Sequence, residues 1–324
     1  MHTEQIYKQD TKAPLVSFIV TAYNLPTDML RECIDSILSL SLSSDDRQII
    51  LVDDGSDVCP LNDLTDCRDS LIYVRQRNAG LSAARNTGLQ VATGTFVQFV
   101  DGDDSLIRSP YEHCLDIARY ENPDIVLFSI SEDGNSEAEP NFRKAVTGSQ
   151  YMRDNNLRAS ACGYIFRRSI LGSLRFTPRL LHEDEEFTPL LMLRAERVIE
   201  TSSTGYYYRR RTGSITHTDD KQQQERRLGD IEKIIRHLRN VADTVPDSDK
   251  PALSRRVAQL TMDYLYDTAK ITRSRKQLDK TIKRLSEAGL FPLPDKKYTS
   301  KYRLFSQMIR IPLLRSLLIM SIPR

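Results

Sequence analysis

Ten residues, Thr95-Phe96-Val97-Gln98-Phe99-Val100-Asp101-Gly102-Asp103-Asp104, run from β-forming side chains into three carboxylates around a glycine. Phe96, Val97, Phe99 and Val100 suit a strand buried on both faces. Such a strand delivers its acids to the C-terminal edge of a sheet, where open α/β sheets bind ligands. Carboxylates crowded at one turn repel each other unless a cation joins them. Hard oxygen donors favour Mg2+ or Mn2+, ions that keep positions open for diphosphate oxygens. The plainer explanation of an isolated Asp-Gly-Asp is a solvated turn. A second apolar run, residues 48–52, also ends in acid at Asp53-Asp54-Gly55-Ser56. In a parallel sheet both acidic ends lie on one edge, and that coincidence favours a binding site.

Two further stretches carry chemistry-bearing side chains. His182-Glu183-Asp184-Glu185-Glu186 opens a helical pattern through Leu190, Leu191 and Arg194. Acid in a first turn is also ordinary complementation of the helix dipole. Arg209-Arg210-Arg211-Thr212-Gly213-Ser214-Ile215-Thr216 is a basic loop with hydroxyls. His182 and His217 stand near these motifs, but a lone histidine is more often a polar surface residue, and neither is assigned to a metal.

The elements that would position these groups alternate. Residues 15–21 form a first strand, broken by Ala22-Tyr23-Asn24-Leu25-Pro26. Leu30, Cys33, Ile34, Ile37 and Leu38 make one apolar helix face, with Thr27 placed to cap it. Strands follow at 48–52 and 71–74. A helix over 81–93 sets Leu81, Ala84, Gly88 and Ala92 on one side, small enough to pack closely on a sheet. A helix at 111–120 and strands at 124–130, 163–167, 198–200 and 206–208 continue the pattern, with a polar loop or hairpin tip at 131–139. This alternation predicts a mostly parallel sheet covered on both faces. After about residue 218 strand signals vanish. Leu228, Ile231, Ile234, Ile235 and Leu238, then Leu253, Val257, Leu260 and Leu265, have helical spacing. The division expected is residues 1–217 and a helical region, 218–324.

Composition narrows the class. The chain has 324 residues and a net charge of +2, so there is no global signal for nucleic acid. No apolar run is long enough to span a bilayer, and the first residues lack a secretory layout. Five scattered cysteines without metal-ligand spacing fit reduced thiols in the cytoplasm. Residues 301–324 mix Leu, Ile and Met with Lys301, Arg303, Arg310, Arg315 and Arg324, and Pro312 interrupts any helix there. Leu304, Ile311, Leu314, Leu317 and Leu318 fall mostly on one side, widened by Leu313, Ile319, Met320 and Ile322. The segment is expected to lie on a membrane surface or dock a partner, with ordinary core packing as the alternative.

Taken in order, these motifs resemble the family 2 glycosyltransferases, of the bacterial surface-polysaccharide type. The resemblance runs through Val16-Ser17-Phe18-Ile19-Val20-Thr21-Ala22-Tyr23-Asn24 and Ile50-Leu51-Val52-Asp53-Asp54-Gly55-Ser56. It continues in Asn78-Ala79-Gly80-Leu81-Ser82-Ala83-Ala84-Arg85-Asn86-Thr87-Gly88 and Phe99-Val100-Asp101-Gly102-Asp103-Asp104. His182-Glu183-Asp184 and Tyr206-Tyr207-Tyr208-Arg209 with Gly213-Ser214-Ile215 resemble the acceptor-side motifs. It covers residues 14–217. The family usually has proline before Tyr-Asn, where Thr21-Ala22 stand here.

The resemblance implies a Rossmann-like GT-A fold and transfer of a hexosyl or N-acetylhexosaminyl group, with inversion. The donor would be a nucleotide diphosphate sugar, UDP-linked, and the acceptor a glycan or lipid-linked hydroxyl. It implies Mn2+ or Mg2+ on Asp103, with Asp101 on the metal or the ribose and Asp104 behind them. Asp53 would accept a hydrogen bond from the nucleotide base, and Asp54 would share that role or orient the loop. Arg85 would face the nucleotide, its alternative being an exposed helix arginine. Thr21, Tyr23 and Gly102 would line the donor site, and Arg209, Arg211 and Ser214 would close over the diphosphate. Asp184 would be the base, with Glu183 holding the acceptor or the loop. The expected location is cytoplasmic, peripheral at the inner face of the plasma membrane. The alternatives are a catalytically inert sugar-binding or scaffold module and, less favoured, nucleotidyl transfer on a polymerase-like acid motif.

Overall fold

A computed structural model describes residues 13–134, 140–210 and 220–322. Most of the basic loop, including Arg211, Ser214 and His217, lies outside the described residues, as do 135–139 of the polar loop.

In chain order the elements begin with β1 (Val16–Ala22), α1 (Thr27–Leu38), β2 (Arg47–Asp53) and β3 (Leu71–Arg75). Next come α2 (Leu81–Val91), β4 (Phe96–Asp101), β5 (Ser105–Leu106), α3 (Arg108–Tyr120) and β6 (Ile125–Ser131). Then follow α4 (Gly148–Asp154), β7 (Tyr164–Arg167), α5 (Asp184–Met192) and β8 (Val198–Tyr207). The chain continues as helices: α6 (Lys221–Thr244), α7 (Lys250–Thr272), α8 (Arg275–Glu287), α9 (Ser300–Arg310) and α10 (Pro312–Ser321).

The chain forms two compact units. The first comprises Met1–Lys144, Cys162–Ser173 and Ile199–Arg209; the second comprises Ala145–Ala161, Leu174–Val198 and Arg210–Arg324.

The first unit is built on an eight-stranded sheet in the order β3-β2-β1-β4-β7-β6-β8-β5. β1 runs parallel to β2 and β4, and β2 parallel to β3. β7 is antiparallel to β4 and β6, and β5 to β8. Every residue of β1 is buried, as expected of a central strand covered on both faces. The chain steps outward from β1 to β3, then returns to place β4 on the other side of β1. That reversal makes the C-terminal ends of β1 and β4 a topological switch point, the usual ligand site of such sheets.

α1 buries Leu30, Cys33, Ile34 and Ile37, the face its periodicity predicts. Thr27 does not cap it: Pro26 holds that position, and the Thr27 hydroxyl donates to Asp63 at 2.9 Å. α2 packs closest where Gly88 meets β1, since a Cβ there would lie 2.2 Å from Ile19 Cγ2. The two strands expected at 198–200 and 206–208 are one continuous strand, β8.

The second unit has a helical core. Ile234, Ile235 and Leu238 of α6 pack with Leu253, Val257, Leu260 and Leu265 of α7 and Leu278, Ile282 and Leu285 of α8. The C-terminal apolar side chains divide. Leu318, Ile319 and Ile322 are core, whereas Leu313, Leu317 and Met320 are exposed, so the single apolar side expected from sequence is split between core and surface.

Candidate active site

In the first unit, three strand ends meet at one sheet edge. The register sets Thr21 of β1 beside Asp101 of β4 and Ala22 beside Asp53 of β2. Both acidic turns therefore flank the end of β1, as the sequence predicts.

The loop after β4 is held closely. Gly102 donates its N–H to the Thr21 carbonyl at 3.0 Å, and a Cβ at Gly102 would sit 2.8 Å from that oxygen. Only glycine lets the two backbones approach this far. Asp101 Oδ1 accepts from Arg85 Nη2 at 2.9 Å and lies 3.5 Å from the Thr21 hydroxyl. Arg85 is 4% exposed and its guanidinium lies over the Phe99 ring. It is not the exposed helix arginine that sequence left as its alternative.

Asp104 is 2% exposed and differs sharply from half-buried Asp103. Its Oδ2 accepts from the Tyr206 hydroxyl at 2.7 Å, and its Oδ1 from the Arg209 N–H at 2.8 Å. Burial first, then the charge of Asp101, pushes the Asp104 carboxyl up to about 8 against those two hydrogen bonds. Tyr206, itself buried, also accepts from the Asp101 N–H at 3.1 Å. One phenol thus fixes both ends of the acidic turn.

Arg209 Nε donates to the Asp103 carbonyl at 3.1 Å, and Nη2 pairs with Glu32 of α1 at 2.5 Å. The guanidinium expected over a diphosphate is here engaged with α1 and the acidic loop. Sequence alone assigns no individual role to Tyr206 or Glu32. Tyr206 was visible only as a letter of the Tyr-Tyr-Tyr-Arg motif, and Glu32 had no signal beyond an exposed helix position.

The turn after β2 is equally ordered. Asp53 has no exposed surface; Oδ1 accepts from the Ser56 N–H and Oδ2 from the Tyr73 hydroxyl, each at 2.8 Å. Asp54 Oδ1 accepts from Gln76 Nε2 at 2.6 Å and the Ala79 N–H at 2.9 Å, and Oδ2 from the Gly80 N–H at 2.8 Å. Asp54 therefore shapes the loop that leads into α2 and Arg85. Asn24 joins the turns after β1 and β2, pairing with Asp57 through both side-chain amide atoms at 3.0 and 2.8 Å. Tyr23 beside it is 50% exposed, an open aromatic surface at this edge.

Glu183 and Asp184 belong to the second unit, at the start of α5. Asp184 Oδ1 accepts from the Glu185 N–H at 2.9 Å. Glu185 pairs with Arg256 of α7, and Arg256 also donates to the Leu157 carbonyl at 2.9 Å. Burial pulls the Arg256 guanidinium down to about 10, opposed by the charges of Asp263 and Asp184, so it stays cationic at neutral pH. His182 adopts φ 60° at the turn before α5. Burial, with the Arg227 charge, lowers its pKa and keeps the ring neutral.

Among the described residues no group of three or more His, Cys, Asp or Glu side chains forms a metal site. The donor set still suits a hard cation. Mg2+ takes one or two carboxylates and completes its octahedron with water and phosphate oxygens, and Asp101 and Asp103 supply that number.

The Glycosyl transferase family 2 model matches residues 17–174. Uncharacterized glycosyltransferase EpsJ of Bacillus subtilis is 31% identical over 234 residues, 66% of this chain and 67% of that protein. Glycosyltransferase GlyA of Streptococcus pneumoniae is 31% identical over 223 residues, 62% of this chain but only 31% of that longer protein. In structure, S. aureus TarS 1-349 in complex with UDP-GlcNAc superposes with a TM-score of 0.67 at 19% identity, covering 93% of this chain and 88% of TarS 1-349. That likeness shows the fold, which is GT-A. The acidic switch-point edge and the match to EpsJ agree: the chain belongs to the family 2 glycosyltransferases.

Proposed function

We propose that the chain is an inverting, cation-dependent transferase. It would move a hexosyl or N-acetylhexosaminyl group from a UDP-linked sugar to a hydroxyl of a glycan or lipid-linked acceptor in surface polysaccharide synthesis. The observation that carries this reading is the juxtaposition of Thr21 and Asp101 at the switch point, with Arg85 on Asp101. TarS 1-349 was crystallised with UDP-GlcNAc, which supports a UDP donor. We assign catalysis to residues 1–217, followed by the helical region 218–324, and place the enzyme in the cytoplasm at the inner face of the plasma membrane.

In this reading the acceptor hydroxyl gives its proton to the Asp184 carboxylate as its oxygen bonds to the anomeric carbon. The bond from that carbon to the diphosphate breaks, and its electron pair leaves with the diphosphate. Attack opposite the leaving group inverts the centre. A divalent cation, when bound, supplies positive charge to the departing diphosphate, and Asp103 with Asp101 would hold it. Arg85 fixes the Asp101 carboxylate. Tyr23 offers its exposed ring to the base, and Asp53 and Asp54 keep the loops beneath in place. Glu183 steadies the α5 turn that presents Asp184. Arg209, Arg211 and Ser214 close over the diphosphate, which requires Arg209 to leave Glu32.

The test is a panel of UDP- and GDP-linked sugars with Mn2+, Mg2+ or chelator, reading nucleoside diphosphate release and, with a lipid-linked acceptor, product mass. Cation-dependent release from a UDP sugar with a heavier acceptor is expected. No turnover with any donor would favour an inert sugar-binding module. Release unaffected by chelator would remove the cation from the reading.

A further inference from the structure

Among the described residues ten large apolar side chains are exposed, and five of them, Leu304, Ile311, Leu313, Leu317 and Met320, lie on α9, α10 and the residue between them. The helices themselves are firmly seated. Tyr302, Phe305, Ile309, Leu318 and Ile319 belong to the helical core. Arg273 Nη1 donates to the carbonyls of Ile319 and Ile322 at 3.1 and 2.8 Å, closing the end of α10. Arg315 ties α10 to Asp279 of α8 at 2.8 Å. With one side buried, Leu313, Leu317 and Met320 recur at i, i+4 and i+7 and share the outer side of α10. An apolar row of this kind on a fixed helix marks an interaction surface.

Charge identifies the occupant. Residues 270–322 carry thirteen Lys and Arg against three Asp and Glu, a local net of about +10 in a chain whose total is +2. Arg273 and Arg315 are engaged in the packing just described. Lys276, Lys280, Lys283, Lys296, Lys297 and Arg303 are exposed. A second copy of this chain would set two such cationic faces together, which like-charge repulsion disfavours. An anionic surface is attracted. No helix of the described residues is long and apolar enough to cross a membrane, so α10 would lie along a bilayer. We infer that the outer face of α9 and α10 seats on an anionic lipid bilayer. Leu313, Leu317 and Met320 enter the boundary between headgroups and acyl chains, and the exposed lysines of residues 270–322 meet the headgroups. The inference rests on the proposed location at the membrane face and on no step of the transfer chemistry, so the two fail separately.

The experiment is co-sedimentation of the full chain with vesicles of phosphatidylcholine alone and of phosphatidylcholine mixed with phosphatidylglycerol. Binding to the anionic vesicles is expected at low salt, and its loss at about 1 M salt, where the screening length falls to about 3 Å. Leu313→Ser, Leu317→Ser and Met320→Ser together should lower partitioning about tenfold or more at each salt concentration where the parent still binds. Lys276→Glu, Lys280→Glu and Lys283→Glu together should lower it comparably at low salt only. Both sets are exposed, so melting temperature and turnover of nucleotide sugar in solution should match the parent. The inference is overturned if the parent stays in the supernatant with anionic vesicles, or if both variants sediment as the parent does. It is also overturned if sedimentation velocity shows a dimer that the serine variant dissociates while vesicles bind neither protein. Vesicle binding without turnover would instead count against the proposed transfer reaction alone.

Discussion

Asp103 and Asp104 are adjacent in the chain and occupy opposite environments. Asp104 is sealed between Tyr206 and the Arg209 N–H, and burial pushes its carboxyl up to about 8. Asp103 keeps accessible surface, so of the two it is the one suited to a hard cation. Asp103→Asn should lower turnover about 10²-fold or more, the scale of losing one group aimed at developing charge. Its melting temperature should stay at the parent value, and its residual activity should no longer respond to chelator. Parent-like turnover would remove Asp103 from the reaction. Asp184 makes a contrasting case, because a base acts on the acceptor and not on the donor. Asp184→Asn should cost about 10²–10⁴-fold in transfer while calorimetry finds nucleotide affinity unchanged. Arg85→Ala and Asp53→Ala should do the reverse and weaken nucleotide binding, the first by releasing Asp101 and the second by releasing the Ser56 turn. Lost nucleotide affinity in Asp184→Asn would move that residue to the donor side.

The acidic edge depends on how closely α2 lies on β1, and Gly88 sets that distance. A methyl group at 88 would meet Ile19 Cγ2 at 2.2 Å, so helix or strand must shift. Gly88→Ala should cost about 1–3 kcal/mol by overpacking and weaken nucleotide binding, since Arg85 rides on the same helix. Trimming the obstacle with Ile19→Val should recover part of both losses. A double variant as unstable as the sum of the singles would place the strain elsewhere. Elements of this kind were legible because burial writes a period into the sequence. α1 shows it at Leu30, Cys33, Ile34 and Ile37, and β1 and β4 as mostly apolar, buried runs interrupted by Ser17 and Gln98. α4 left no such trace: Gly148–Asp154 is a short, mostly polar helix of about two turns. β5 is two residues long and is recognised only through its pairing with β8. β8 read as two strands because Thr201-Ser202-Ser203-Thr204 has the composition of a loop. Thr201 and Ser203 are nevertheless buried, with the Thr201 hydroxyl donating to the Asn141 carbonyl at 2.7 Å. That partner lies sixty residues away, and no local pattern announces it.

At the scale of the molecule, chain order and compactness diverge. Residues Ala145–Ala161 and Leu174–Val198 precede the sequence's change in composition, yet they fold with the helices that follow it. Strand-like and helix-like composition report local structure, whereas membership of a core is decided by contacts distant in sequence. Glu232 shows how the helical unit is closed. It lies on α6, is 9% exposed, and accepts from the Tyr264 hydroxyl of α7 at 2.7 Å and from Arg284 Nε of α8 at 2.9 Å. Arg236, one turn on, adds a bond at 2.8 Å. Burial alone would raise this carboxyl, but the donors from Arg284, Tyr264 and Arg236 outweigh it and hold its pKa below the usual glutamate value. The unfolded chain therefore binds more protons between the depressed folded pKa and the ordinary value near 4.3. Stability rises with pH across that window, is fully present above it and is lost as pH falls through it. Glu232→Gln should cost about 2 kcal/mol at neutral pH, since three donors lose a charged acceptor. Denaturant melts of parent and variant at pH 7, 5, 4 and 3 check the sign. The gap should be constant from pH 7 to 5 and shrink below about pH 4 as the parent's own carboxyl protonates. A gap that is the same at every pH would mean that shape, and not charge, is what Glu232 contributes to joining the three helices.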